Sequence, residues 1–284
     1  MTLLQAVLSA IPTFPMSCFQ LPVSICKKIQ SVLTRFWWNS NDEKKKMCWV
    51  SWEKLTNPKC MGGLGFKDIQ RFNTALIAKI PWRMLNNPNC LLSRVLVGQY
   101  CQNDSLLKVS LTKTASHGWR GILAGRDLLV EHLGKVIGDG STTKIWGEPW
   151  ISPSSATLPF GPTKEDESDL YVSDLILRGS GSWNITRLQE LLPELTKEIM
   201  SLRPSVTGAQ DSYVWYPVAS GSYSAKSGYA AASASLFPTM NQPVVPTTFN
   251  WHTSVWNVES PPKLKLLIWK ILHEALPTGL NLQK

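Results

Sequence analysis

The chain has 284 residues, 43% of them hydrophobic and 17% charged, and its net charge at neutral pH is +9. This composition can bury a core, which excludes a disordered chain, and the length suits one large domain or two small ones. The six cysteines all lie within the first 101 residues and form no C-x-x-C pair. They argue against a disulfide scaffold and a cysteine-rich zinc module, and we predict reduced thiols in the core.

The first 26 residues carry no charge, yet they lack the features of a leader or a membrane span. A secretory leader begins with basic residues, whereas the first basic residue here is Lys27. Pro12, Pro15 and Pro22 interrupt the segment, and polar residues recur through it, so a spanning helix is disfavoured. We therefore expect an intracellular protein, nuclear or cytoplasmic, with no membrane partner.

Positive charge is concentrated in the first third of the chain. Residues 1–90 hold 12 basic and 4 acidic side chains, a net charge of +8, whereas residues 151–210 have a net charge of −3. A local excess of this kind indicates an anionic partner more strongly than a high overall charge does.

The first long helix is predicted to begin at Pro22, which suits a first helical turn, and to run to about Trp38. Its apolar residues recur at helical spacing and predict one buried face. The residues expected on that face are Ile25, Ile29, Val32, Leu33, Phe36 and Trp37. The basic residues expected on the opposite face and in the exposed run after it are Lys27, Lys28, Arg35, Lys44, Lys45 and Lys46.

Shorter elements follow, each marked by a capping or breaking residue. Ser51 is predicted to cap a short helix that ends before Pro58. The glycines of residues 62–65 predict a tight turn with positive φ. Asp68 is predicted to cap the next helix, which Pro81 should kink or end.

The second half of the chain is predicted to mix short helices with two small hairpins. Residues 91–135 are helical in pattern, and the residues from 136 to 150 predict a hairpin about an Asp-Gly turn. A Pro/Ser-rich linker at 151–169 precedes a helix at 188–202, a second hairpin at 213–224 and a helix near 226. A last helix is predicted from Lys263 to Leu276. The predicted class is mainly α (α+β), with a helical bundle-like first half.

A set of motifs spread over the first 150 residues resembles one family. Together they are similar to the segment that follows the polymerase palm in plant LINE-type (non-LTR) retrotransposon reverse transcriptases. The motifs are Ile11-Pro-Thr-Phe-Pro-Met-Ser-Cys18, Phe36-Trp-Trp38, Trp49-Val-Ser-Trp52, Gly62-Gly-Leu-Gly-Phe66, Phe72-Asn73, Trp82-Arg83, Gly138-Asp-Gly140 and Trp146 to Trp150.

The end of the chain is similar to the first half of the zinc-binding module of the same family. The residues that carry this resemblance are Asp211 to Trp215, Gly221-Ser-Tyr-Ser224, Lys226-Ser-Gly-Tyr229, Trp256, Pro261-Pro-Lys263, Trp269, His273 and Ala275-Leu-Pro-Thr278. In the family the Cys and His ligands come later, so the resemblance implies a truncated module without zinc ligands. We therefore expect a basic, thumb- or connector-like region at 1–150, an acidic linker and helix at 151–210, and the truncated module at 211–284.

The sequence argues against catalysis and metal binding. Polymerase and ribonuclease H chemistry need close carboxylates that hold two metal ions, and the chain contains no adjacent pair of aspartates. Its densest acidic run, Glu165-Asp-Glu167, lies in the predicted linker. His252 and His273 are 21 residues apart, with no cysteine after them, whereas a structural zinc needs four paired ligands. We expect no catalytic residue, no metal site and no cofactor.

The basic face is the feature that predicts a function. It can neutralise the phosphates of RNA or DNA regardless of sequence. The chain is rich in tryptophan, with 13 residues, and four of them near this face could stack on unpaired bases or belong to the core: Trp37, Trp38, Trp49 and Trp52. Two alternatives stay open, namely an interaction or structural fragment with no selected role, and an accessory piece of a polymerase whose palm is supplied in trans. The apolar last helix further predicts self-association through residues 251–284.

Overall fold

The computed structural model describes residues 1–39, 47–102, 104–152, 154–161, 167–177, 181–234 and 249–278. They form two compact units, one made of residues 1–76 and 232–284 and the other of residues 77–231. The predicted class, mainly α with a small β component, is confirmed. Among the described residues, helices dominate and the two strands form a small antiparallel sheet. The three-part division made from charge and resemblance stays a prediction.

The elements follow each other in short segments. The α-helices are α1 (Thr13–Cys18), α2 (Val23–Trp38), α3 (Trp52–Thr56), α4 (Ile69–Ile77), α5 (Lys79–Asn86), α6 (Leu91–Tyr100), α7 (His117–Val130), α8 (Ile185–Leu191), α9 (Thr196–Ser201), α10 (Ala225–Ala234) and α11 (Pro262–Leu272). The strands are β1 (Leu133–Val136) and β2 (Ser212–Trp215). Single turns of tighter or wider helix lie at Leu4–Leu8, Lys59–Met61, Val172–Leu175, Pro193–Leu195 and His252–Trp256.

The predicted capping and breaking residues act as expected. The Ser51 hydroxyl accepts a hydrogen bond from the backbone N–H of Lys54 at the start of α3. The Asp68 carboxylate accepts a hydrogen bond from the backbone N–H of Arg71, at 2.9 Å, at the start of α4. The helix before Pro81 breaks, and the proline lies in the first turn of α5, where its missing N–H leaves no hydrogen bond unmade.

The first unit joins the two ends of the sequence at the turn of residues 59–62. Gly62 has φ +80° there, as the glycine-rich pattern predicts. Its carbonyl oxygen accepts hydrogen bonds from the Trp269 indole N–H and from His273 Nε2, both at 2.7 Å. Trp256 donates its indole N–H to the Lys59 carbonyl at 3.0 Å. Trp269 is fully buried in this arrangement.

The second unit contains the sheet, in which β1 pairs antiparallel with β2. Leu133 lies opposite Trp215, and Val136 lies opposite Ser212. The two predicted hairpins, at 136–150 and 213–224, therefore need a correction. Of the first segment only Val136 lies in β1, and residues 133–135 of that strand come from the stretch predicted as helical. The start of the second segment forms β2, but it pairs with β1 and not within a hairpin of its own. Alternating apolar residues indicate that a segment is extended, but they do not name its partner. Within β1, buried Lys135 pairs with Glu148 at 2.8 Å.

The six cysteines are free. The prediction that they are core thiols is right for Cys26, which is buried, and wrong for Cys18, Cys48 and Cys60, which are exposed. Cys18 ends α1, Cys60 lies in the turn Lys59–Met61, and Cys48 lies in a segment without regular structure, so none of the three is on the buried face of a long helix.

Candidate nucleic-acid interface

The helix α2, which carries the predicted basic face, is held in the first unit by two polar side chains of its neighbours. Asn73, buried on α4, donates to the carbonyls of Met16 and Phe19 at 2.7 and 2.9 Å and accepts from the Leu21 N–H at 2.7 Å. These bonds fix the chain that leads into α2. On α2 itself, Gln30 donates to the Asp68 carboxylate at 3.2 Å. A buried amide that makes three hydrogen bonds is costly to move, so the orientation of α2 is well determined.

Three of the six predicted site residues lie together on the outward face of α2. Lys27, Lys28 and Arg35 are exposed, and none of them makes an ion pair with another described residue. Their charges therefore remain available to an anion. The other three, Lys44, Lys45 and Lys46, lie outside the described residues.

The predicted apolar face of α2 needs a correction. Leu33 is buried, and Ile29 and Trp37 are half-buried, as expected. Ile25, Val32 and Phe36 are instead exposed. The buried face is centred on Cys26 and Leu33, the side on which Gln30 bonds Asp68. The sequence pattern placed the centre of this face too close to Val32, because it gives no weight to a polar anchor.

The tryptophans near the basic face are buried or half-buried, and two of them pack against Phe66. Trp52 stacks on Phe66 with ring centroids 5.5 Å apart, and Trp37 meets the same ring edge-on at 5.2 Å. Trp38 is only 7% exposed. The alternative of a core residue is therefore correct for Trp38, whereas Trp37 and Trp52 are half-buried and pack against Phe66. Trp49 is half-buried.

A second polar centre lies in the second unit at Asp211, a residue that was not among the predicted site residues. Its carboxylate accepts hydrogen bonds from the backbone N–H groups of Gly138 (2.7 Å), Gly140 (2.9 Å) and Thr142 (3.1 Å). The hydroxyls of Thr142 and Thr143 donate to it at 2.9 and 2.6 Å. Burial acts to raise the pKa of Asp211, but these hydrogen bonds outweigh burial and lower it. The sequence signals at this site were the predicted Asp-Gly turn and the resemblance motifs at Gly138-Asp-Gly140 and Asp211 to Trp215, none of which indicated that the two segments meet.

An open pocket of about 470 Å³ adjoins this loop, with Asp139 and Asp174 in its lining. Both carboxylates already serve their own loops. Asp139 accepts from the N–H and hydroxyl of Ser141, at 3.0 and 2.8 Å, and Asp174 accepts from the Tyr171 N–H at 3.0 Å. We therefore assign the two carboxylates a structural role in these loops.

The described residues contain no group of three or more His, Cys, Asp or Glu side chains placed to hold a metal ion. They also contain no helix that is both long enough and apolar enough to cross a bilayer. The acidic run at 165–167 lies largely outside the described residues.

Comparisons with known proteins supply two plant relatives. The chain is 43% identical over 151 residues to the uncharacterized mitochondrial protein AtMg00310 of Arabidopsis thaliana, a match that covers 53% of this chain and 98% of that protein. It is 32% identical over 290 residues to an Arabidopsis thaliana protein named "Putative ribonuclease H protein At1g65750", with 98% of this chain and 45% of that protein covered. No family model matches the chain. No solved structure matches it either.

The chain thus spans less than half the length of the second relative and nearly the whole length of the first. Relatives of this kind are typical of retrotransposon-derived plant proteins, which agrees at a coarse level with the resemblance described above. The 43% identity over 98% of the first relative is decisive: the chain belongs to the plant protein family that includes AtMg00310.

Proposed function

We propose that this chain is a non-catalytic part of a plant LINE-type reverse transcriptase, made of the region after the palm and the first half of the zinc-binding module. In this proposal its activity is weak, sequence-independent binding of RNA or DNA through the phosphate backbone. The name of the second relative concerns a protein more than twice as long as the matched region. We do not extend ribonuclease H activity to this chain, because the match covers only 45% of the protein that carries that name.

One observation carries the binding proposal, namely three cations on the outward face of α2 that form no ion pair within the part of the chain that the structure describes. Lys28 and Arg35 are seven residues apart, so their Cα atoms are separated by about 10 Å along the helix axis. That distance lets the two side chains reach different phosphates of one strand. Lys27 adds a third charge on the side of the same face. Because these cations bind phosphate, their binding does not depend on base sequence.

The test is electrophoretic mobility shift with RNA and DNA oligonucleotides at about 50 mM salt, where several neutralised phosphates give measurable binding. We expect a shift at micromolar protein for every sequence tried. The triple variant Lys27→Ala, Lys28→Ala, Arg35→Ala should bind more weakly to all of them. Its plot of log affinity against log salt should be flatter, by roughly 0.7–0.9 for each phosphate that the variant no longer neutralises.

A matched control removes the same charge from exposed positions of the second unit. These positions are Lys113, Lys197 and Arg203. Their replacement by Ala should leave the salt slope unchanged. If both triple variants lose affinity equally, net charge alone explains binding and α2 is not the site. No shift for the unmodified chain would instead favour a structural or interaction fragment, and co-purification with a palm-containing protein would favour the accessory role.

A further inference from the structure

The outward face of α2 carries two parallel rows of side chains with different chemistry. Lys28 and Arg35 form a basic row along the middle of the exposed face. Beside it lies an apolar row of Ile25, Val32 and Phe36, which are 40%, 64% and 48% exposed. At about 100° per residue, the two rows are separated by roughly 40–100° around the helix, so they run side by side.

Phe36 is the aromatic ring of this face that is open to solvent, in contrast to Trp37 and Trp38. It follows Arg35 directly, and Val32 lies one turn before it, so the ring has a cation on one side and an apolar neighbour on the other. An exposed aromatic ring next to a row of cations matches the chemistry of an unpaired nucleotide, whose phosphate is anionic and whose base has an open face. A duplex offers the same phosphates, but its bases are already stacked on each other.

Resting on the proposed function, we propose that α2 binds an unpaired RNA or DNA strand, with phosphates on Lys28 and Arg35 and a base stacked on Phe36. Two features of the face support this choice. The charges are positive and unpaired among the described residues, which complements a polyanion. The apolar row lies at the side of the charges and ends in an aromatic ring, so one strand can contact both rows.

The experiment measures fluorescence anisotropy with a labelled single-stranded oligonucleotide and with the same sequence in a duplex, at about 50 mM salt. Phe36→Ala should weaken single-strand binding by about 5- to 150-fold, the range that corresponds to removal of one stacked base. Duplex binding should change less than about twofold, because the cations that bind phosphate are unchanged. Phe36→Tyr should keep single-strand affinity, whereas Phe36→Leu, which is apolar but cannot stack, should lose it.

Phe14→Ala is the matched control, since Phe14 is 79% exposed on α1 of the same unit. It should leave both affinities unchanged. If the unmodified chain binds neither nucleic acid, the proposed function itself fails. If the chain binds but Phe36→Ala affects single strand and duplex alike, or Phe36→Leu retains affinity, only the stacking inference fails. Tighter binding to anionic lipid vesicles than to the single strand, with loss on Phe36→Ala, would assign the face to a membrane surface and overturn the inference.

Discussion

Asp211 shows how one side chain can organise a loop from more than 65 residues away in sequence. Its carboxylate collects the N–H groups of Gly138, Gly140 and Thr142 and two threonine hydroxyls. Each of these donors would otherwise have to be satisfied within the loop itself. A carboxylate serves this purpose because it only accepts, and charge-assisted hydrogen bonds are stronger than neutral ones.

Replacement of Asp211 by Asn should destabilise the second unit by about 2 kcal/mol or more, because the amide NH₂ would face N–H and O–H donors. The native pKa of Asp211 is lowered, so its contribution to stability is full above the unfolded pKa of about 4 and is lost as the pH falls through the native value. The difference in unfolding free energy between the two proteins should therefore be constant from about pH 5 to 7 and should narrow below pH 4. Urea denaturation, followed by tryptophan fluorescence at several pH values, measures this difference in unfolding free energy.

The control for this change is Asp169→Asn. Asp169 is likewise a carboxylate with a hydrogen-bond donor, the Lys144 ammonium at 2.8 Å, but its side chain is 87% exposed. Solvent screens such a pair, so its removal should alter stability little. Equal effects of the two substitutions would show that the loop does not depend on Asp211.

Between elements, α7 approaches the break between α4 and α5 closely in the second unit. A Cβ atom at Gly125 would lie 2.8 Å from both the Cα and the N atom of Ala78. These are backbone atoms, which cannot move aside as a flexible side chain would. The break between α4 and α5, which Pro81 favours, and the glycine on α7 are thus parts of one contact.

Gly125→Ala should therefore destabilise the protein by about 1–3 kcal/mol, the usual cost of overpacking. Gly118→Ala is the control in the same helix, because a Cβ atom there has no neighbour within 4 Å. It should be neutral or stabilise by up to about 1 kcal/mol, since alanine favours the helix. Thermal denaturation followed by circular dichroism compares the two. A Gly125→Ala protein as stable as the Gly118→Ala protein would contradict the close approach.

Some helix boundaries were predictable from sequence because local residues set them, whereas the single helix predicted at 188–202 is two helices, α8 and α9, separated by the turn at Pro193–Leu195. Ser51, Asp68 and Pro81 act through bonds or clashes within a few residues, and each does what its position predicts. Strand pairing was not predictable in this way, because β1 and β2 are joined across the 75 residues that separate Val136 and Ser212 in the chain. The partner of a strand depends on the whole fold rather than on the strand's own pattern.

The sequence predicted which charged residues of the candidate site are exposed, but it did not predict which apolar residue lies exposed beside them. The spacing of Lys27, Lys28 and Arg35 placed them outside, because few lysines and arginines are buried unpaired. The exposure of Phe36 was missed because hydrophobic spacing alone treats every apolar residue of α2 as core. Its actual position depends on polar bonds to Asp68 and around Asn73, which periodicity does not register.

At the scale of the whole molecule, the first unit is built from two segments that are far apart in the sequence. Its last helix, α11, is held by Trp269, whose indole bonds Gly62, and by Lys270, whose ammonium lies 5.7 Å from the centre of the Trp38 ring. The opposite side of α11 remains exposed. The apolar residues there are 42–53% exposed, and they are Leu264, Leu267, Ile271 and Leu272.

These exposed residues recur at helical spacing and form a stripe that water hydrates poorly. We expect the chain to self-associate through this stripe, because burial of each side chain against a second copy is favourable by up to about 1.5–3 kcal/mol. The double variant Leu267→Gln, Ile271→Gln keeps Trp269 and its bond to Gly62. It should stay folded and should raise the dissociation constant by at least about tenfold.

Sedimentation velocity over a roughly hundredfold range of protein concentration measures this change, because self-association follows mass action. The matched control is Leu91→Gln, Val95→Gln on α6, where the two side chains are 76% and 54% exposed. Removal of a similar apolar area there should leave the association unchanged, since α6 lies outside the stripe. If the unmodified chain sediments as a monomer throughout, or if both double variants weaken association equally, the stripe on α11 is not the surface that joins two copies.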